Sequence, residues 1–229
     1  MNILLAGTGS VAAIKYWRLM MALQELGEVK GVLTEKGEFF ARKSMTPEVL
    51  DKDLPNLLVT EQDEWKWNEI GDGIPHIDLK DWADILVIAP LSANTLAKMA
   101  NGICDNLLTS IVRAWPVLDG KPIVVAPAMN TNMWDNPVTK EHLDKLIFRH
   151  RRILEYEGKY APILSGPQYN PYYNRKTRSS CFYCIDPVES ILACGTKGIG
   201  AMAPISEIVR VVKIAHRKGM GIMSQAPKK

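Results

Sequence analysis

The sequence predicts an α/β domain built on a parallel sheet, with helices on both faces and one long irregular insertion. Short apolar runs end in glycine, serine or threonine and give way to stretches whose apolar residues recur at helical spacing. One run, Asp84-Ile85-Leu86-Val87-Ile88-Ala89-Pro90, is apolar almost without interruption, as a strand covered on both faces requires. The alternation of strand, helix and strand implies right-handed crossovers and parallel neighbours. With 229 residues, 47% apolar and 23% charged, the chain can bury one substantial core, so a single domain across 1–229 is expected.

Residues 2–6 read as the first strand, stopped by Gly7-Thr8-Gly9-Ser10, and helical spacing then continues to about Leu26. A second strand over 29–33 ends at Thr34, and a short helix is predicted over 38–43. Residues 54–75 become irregular and aromatic, with Trp65, Trp67 and Pro75, and only 57–60 reads as a strand. The strand ending at Pro90 leads into helices over 92–101 and 105–115, and another central strand covers 123–126. Pro137 at a first helical position, with Asn136 as its cap, opens a helix to about Arg149. From 150 to 189 the pattern dissolves into Tyr, Pro, Asn and Arg, as in Gly166-Pro167-Gln168-Tyr169-Asn170-Pro171. A last helix over 205–217 precedes a Gly, Met and Lys tail expected to fray from about 218.

Composition narrows the function classes. A net charge of +3 and a pI near 8.6, with scattered Lys and Arg, argue against nucleic acid as the partner and leave acidic small molecules open. No apolar run approaches the roughly 18 to 20 residues that cross a bilayer, and Met1-Asn2-Ile3-Leu4-Leu5 enters a strand without a basic leader. A cytoplasmic protein without a membrane partner is expected. Cys104, Cys181, Cys184 and Cys194 are too few and too uneven for a disulfide framework and read as thiols. Cys181 and Cys184 form one Cys-x-x-Cys, but a structural zinc would need two further ligands that the spacing does not offer, so no metal is expected.

Chemistry concentrates at the strand ends. Gly7-Thr8-Gly9-Ser10-Val11-Ala12 fits a relaxed G-x-G-x-x-G/A pattern, either a phosphate cradle at a helix start or a tight turn, and does not separate dinucleotide from mononucleotide. Glu35 lies beyond the place for a ribose-binding acid and reads as a solvated loop acid. Ser92-Ala93-Asn94-Thr95 is an N-cap or a second anion-binding helix start on the same sheet edge, and two such starts on one crevice favour a phosphate. Pro127-Ala128-Met129-Asn130-Thr131-Asn132-Met133-Trp134 ends a strand with an amide and two thioethers. His76, read as a loop residue, is either incidental or a proton-transfer group. Cys194 sits in Ala193-Cys194-Gly195-Thr196-Lys197-Gly198-Ile199-Gly200-Ala201-Met202-Ala203, either a mobile flap or the seat of a buried inert thiol.

Together these motifs resemble the flavin-dependent cysteine decarboxylases, over about residues 2–147 and 190–214. The likeness also rests on Gly9-Ser10-Val11-Ala12-Ala13-Ile14-Lys15, Pro90-Leu91-Ser92-Ala93-Asn94-Thr95-Leu96-Ala97-Lys98 and Gly102-Ile103-Cys104-Asp105-Asn106-Leu107-Leu108-Thr109. The resemblance implies a flavodoxin-like Rossmann subunit in a homotrimer or a dodecamer of trimers, with FMN between subunits. It implies decarboxylation of 4'-phosphopantothenoylcysteine to 4'-phosphopantetheine, a coenzyme A precursor. Gly9, Ser10, Val11, Ser92, Ala93, Asn94 and Thr95 would meet the flavin near its phosphate, with Thr34 and Ala128 completing the pocket. His76 would be the base, Asn130 would hold the substrate carboxylate beside Met133, and Cys194 would return a proton to the product.

That chemistry suits the residue types. A carboxylate on an ordinary carbon leaves badly because the electrons have no sink, and flavin oxidation of the adjacent thiol carbon to a thioaldehyde provides one. A neutral amide such as Asn130 orients the carboxylate without a charge that would stabilise it against loss of CO2. The chain departs from the family in the length between Asn130 and Cys194, in Ser190-Ile191-Leu192 where relatives carry a basic residue, and in Thr196 where they favour an acid. What binds the substrate phosphate is then left open, with Arg175, Lys176 or Arg178 of the insertion as candidate substitutes. Family members that regulate protein phosphatases carry a long acidic tail, absent here, and a flavin prenyltransferase of similar fold would need neither the Asn130 loop nor the Cys194 flap.

Overall fold

Period-two burial along uninterrupted apolar strands builds two cores, one on each face of a single sheet. Ile3 and Leu5 point to one face with Val87, Val124 and Ala126, while Leu4 and Ala6 point to the other with Leu86, Ile88 and Val125. The computed structural model describes residues 1–116, 120–149 and 181–223, the last five of these as backbone only. The expectations for Arg175, Lys176 and Arg178 lie outside the described residues.

The strands are β1 (Asn2–Gly7), β2 (Glu28–Leu33), β3 (Ile85–Leu91), β4 (Ile123–Pro127) and β5 (Phe182–Cys184), in the spatial order β2-β1-β3-β4-β5 and all parallel. This is the flavodoxin-like doubly wound order, in which the chain reverses its direction of travel between β1 and β3. On the first face α1 (Tyr16–Gln24) and α10 (Ile205–Met223) bury Trp17, Leu19, Met20, Leu23, Ile208 and Val212. On the second, α5 (Pro75–Trp82), α6 (Ala93–Asn101), α7 (Leu107–Ala114) and α9 (Pro137–Arg149) bury Leu79, Leu96, Leu107, Ile111 and Leu146. Each such side chain contributes roughly 1.5–3 kcal/mol on leaving water, so both helical layers are held mainly by this burial.

Short helices α2 (Glu35–Ala41), α3 (Pro47–Asp51), α4 (Glu61–Glu64) and α8 (Thr131–Trp134) fill the connections. A β-hairpin, β6 (Val188–Ile191) with β7 (Lys197–Ala201), stands outside the main sheet.

Several expectations change. The strand read over 57–60 is a 3-10 turn, Leu54–Leu57, followed by an isolated parallel bridge between Gly31 and Leu58. Pro55 and a left-handed Asp53 (φ 52°) turn the chain there, and tertiary contact with β2 replaces a full ladder. The helix after the glycine turn begins as a 3-10 segment, Val11–Lys15, before α1. Glu35 belongs to the first turn of α2 rather than a loop, paired with Lys36 at the surface. The irregular reading of 150–189 fails at its end, where β5 and the start of β6 lie. Three residues of Phe, Tyr and Cys are too few to show a period, and only pairing with β4 makes them a strand. The last helix runs to Met223, past Arg217.

Beyond the ladders, Thr8 ties the two central strands together. Its buried hydroxyl donates to the Pro90 carbonyl (2.9 Å) and accepts from the Ser92 amide (2.7 Å), while its own amide reaches the same carbonyl (3.1 Å). Thr8→Val keeps the shape and strands the Ser92 N–H in a dry site, at a cost of about 1–3 kcal/mol. A urea unfolding series should show a lower midpoint at unchanged slope; an unaltered midpoint would refute this role.

Candidate active site

The carboxyl ends of β2, β1, β3 and β4 open onto one crevice, and nearly every residue singled out in the sequence lies along that rim. Thr34 closes β2 and caps α2, its hydroxyl accepting from Gly37 (3.3 Å) while its amide donates to the Gly7 carbonyl (3.0 Å). Gly37 must lack a side chain, since a Cβ would sit 2.5 Å from that same carbonyl. The turn after β1 places Gly9 in the open, Ser10 as a cap whose hydroxyl accepts from Ala12 (3.4 Å), and Val11 with its side chain exposed. After β3, Ser92 caps α6 through Thr95 (3.3 Å), Ala93 and Asn94 occupy its first turn, and Thr95 is buried. Ala128 follows β4, buried and bonded to the Leu91 carbonyl (3.0 Å).

The backbone N–H groups of Val11, Ala93 and Asn94 find no acceptor among the described residues. They belong to two N-terminal turns that follow neighbouring parallel strands, β1 and β3. Unspent donors at the positive ends of two helical segments suit an anion such as a phosphate. The residues present therefore fit the phosphate end of a mononucleotide cofactor at the switch point of the sheet.

At the β4 edge a second constellation forms. Asn130 caps α8, its Oδ1 accepting from the Asn132 amide (2.9 Å), and its Nδ2 lies 3.6 Å from the Cys194 sulfur. The two residues are far apart in the chain, and the β6–β7 hairpin brings them together. Met129 donates its amide to the Gly200 carbonyl (3.0 Å), and a Cβ at Gly200 would lie 2.0 Å from the Met129 carbonyl, so the hairpin seats backbone to backbone on the loop after β4. Met133 lies half-exposed on α8 beside Asn130.

Cys194 is exposed at the hairpin tip, correcting any reading of it as a buried inert thiol. Its sulfur lies 2.9 Å from the Thr196 hydroxyl, and hydrogen bonds from Thr196 hold its pKa below the ordinary thiol value. By contrast Cys181 is buried, and burial with Asp186 nearby pushes Cys184 up to about 12. Burial of this kind disfavours the thiolate at Cys184.

His76 is not in a loop. It lies in the first turn of α5, paired through Nδ1 with Glu64 at the end of α4, and its backbone amide donates to the other Glu64 oxygen (3.1 Å). Among the described residues no hydrogen bond joins it to Asn130 or Cys194. Glu64 escaped the sequence reading, as did the roles of Thr8 and Thr196, because each acts through one long-range or turn contact that no periodicity records. Only the Gly-Thr-Gly setting of Thr8 carried a signal.

A family model described as Flavoprotein matches residues 1–216. The phosphopantothenoylcysteine decarboxylase HAL3 of Malus domestica is 45% identical over 93% of this chain and 82% of its own length. A phosphopantothenoylcysteine decarboxylase of Arabidopsis thaliana is 43% identical, over 93% and 84%. Among solved structures, a cysteine-to-serine mutant of a PPC decarboxylase complexed with pantothenoylaminoethenethiol aligns with a TM-score of 0.71 and 40% identity, over 93% of this chain and 96% of that one. The FMN binding protein AtHal3 aligns with a TM-score of 0.69 and 40% identity, over 99% and 98%.

The Thr196 contact makes a chemical prediction. Because it lowers the Cys194 pKa, thiolate appears at a lower pH in the native protein than without it. Thr196→Val should move the inflection of iodoacetamide labelling at Cys194 to higher pH, read by mass spectrometry of the labelled peptide; coincident profiles would refute the assignment.

Proposed function

The chain belongs to the Flavoprotein family, and from that membership and the crevice just described we propose that it decarboxylates 4'-phosphopantothenoylcysteine to 4'-phosphopantetheine with FMN as cofactor. It is a carboxy-lyase of coenzyme A biosynthesis, similar over most of its length to the phosphopantothenoylcysteine decarboxylases of Malus domestica and Arabidopsis thaliana. The observation that carries the residue assignments is the Asn130–Cys194 contact, which sets a carboxylate-binding amide beside an exposed thiol of lowered pKa. A relative complexed with an enethiol as its cysteine-to-serine mutant supports a cysteine acting late in the reaction.

The Val11, Ala93 and Asn94 amides, with Ser10, Ser92 and Thr95 ordering their turns, would hold the FMN phosphate together with Gly9, and Thr34 and Ala128 at the flanking strand ends would complete the pocket. Bound FMN supplies the two-electron acceptor that lets the substrate's thiol carbon be oxidised before its carboxylate departs and then be restored, so that no net redox change remains. His76 takes the substrate thiol proton. Asn130 donates its amide N–H to the carboxylate and orients it without neutralising it, which leaves loss of CO2 unopposed. Met133 lines the same loop, and Cys194 delivers a proton to the product from the hairpin tip. The Thr196 hydroxyl supports the thiolate left behind.

Trimeric assembly, alone or within a dodecamer, and a cytoplasmic location belong to the same proposal. Apolar side chains in the open support subunit contact: Val11 and Ile14 next to the crevice, Trp65 and Ile70 on the connection before α5. Among the described residues no helix is long and apolar enough to cross a membrane.

Purified protein should be yellow, with a native mass near three subunits or a multiple of three, and should release CO2 from 4'-phosphopantothenoylcysteine. His76→Asn and Cys194→Ser should each lower kcat by on the order of 100-fold or more while FMN absorbance is retained. Undiminished turnover in both variants would remove the residue roles, and colourless protein that takes up no FMN would remove the function.

A further inference from the structure

We infer that Glu64 is a positioning residue for His76: one carboxylate grips both the main chain and the ring of residue 76, so that the neutral imidazole carries its proton on Nδ1 and presents Nε2 as the base. The inference rests on the reading of His76 as the group that takes the substrate thiol proton. Pro75 opens α5 and has no N–H, so the His76 amide is the first main-chain donor of that helix and has no partner within it. Glu64 Oε2 accepts from that amide at 3.1 Å, and Oε1 faces His76 Nδ1. A carboxylate accepts and does not donate, so the contact with Nδ1 requires the ring to place its proton there.

Glu64 is itself well held. Its side chain is only 11% exposed, against 27% for His76, so water competes weakly for the contact. Its helix is pinned by a capping box in which Asp63 Oδ2 accepts from the Thr60 amide (2.8 Å) and hydroxyl (2.7 Å). Lys66 pairs with Asp63 Oδ1 at 2.6 Å, and these bonds hold the Asp63 carboxyl down at about 2, which keeps the box intact through any working pH. With the amide and Nδ1 both tied to one carboxylate, the ring has little freedom to turn, and the remaining nitrogen is aimed by the fold.

Nitrogen-15 labelling of histidine and long-range proton correlation spectra report the tautomer directly, with the His76 signals assigned by their loss in His76→Asn. The FMN-loaded wild-type protein should show neutral His76 as the Nδ1–H form; an Nε2–H form would overturn the proposal without any variant. In Glu64→Gln the amide can still accept from the backbone N–H yet donate to Nδ1, so the ring should switch to the Nε2–H form. Its kcat for 4'-phosphopantothenoylcysteine should fall on the order of 100-fold at unchanged KM, circular dichroism and FMN content. Lost turnover in His76→Asn beside an unswitched ring or wild-type kcat in Glu64→Gln overturns the proposal alone. Wild-type turnover in His76→Asn removes the role of His76, and this inference with it.

Discussion

The hydroxyl of Thr8 is the contact on which the site depends. β1 and β3 lie side by side, yet the chain leaves them in opposite directions, so nothing in the ladder keeps the segments beyond their ends together. A buried hydroxyl that gives to Pro90 and takes from Ser92 supplies that tie, with its donor spent and one bond accepted. It fixes the spacing between the glycine turn and the start of α6, the two places with backbone N–H groups to spare. A crevice of this kind is a property of topology, and a single side chain gives it a definite width.

The tie extends across the rim. From Thr8 the main chain is joined to Pro90, from Leu91 to Ala128, and from Met129 to Gly200, a relay of backbone bonds from the glycine turn to the hairpin. The thiol of Cys194 is therefore referenced to the glycine turn after β1 through main-chain contacts rather than through flexible side chains. Close packing at Gly200 makes the seat of the hairpin firm, while its tip, Leu192 to Thr196, is closed by its own turn and leaves Cys194 exposed.

Much of this was legible in the residues. The strands β1, β3 and β4 announced themselves as apolar runs because both faces are covered, and Ser92 was visible as a cap, while the capping by Ser10 and Asn130 shows only in the structure. The helix holding His76 was not, because Gly71, Gly73 and Pro75 before it read as a loop and Pro75 turned out to be its first residue. The strand β5 was hidden by its length and the β6–β7 hairpin by its exposure, since neither carries an alternating pattern of its own. Contacts such as Glu64 with His76 or Thr196 with Cys194 depend on where turns deliver side chains, which spacing does not encode.

Pairing of β5 alongside β4 has a consequence for how the site is held. Arg149 ends α9 over the second core, with its guanidinium donating to the Met99 carbonyl, and Phe182 opens the edge strand, so both anchor points of the intervening stretch are set by the scaffold. The layers that carry Arg149 and Phe182 are thus set by contacts on either side of the stretch, and the Asn130–Cys194 contact is held by the hairpin seat rather than by the chain between them.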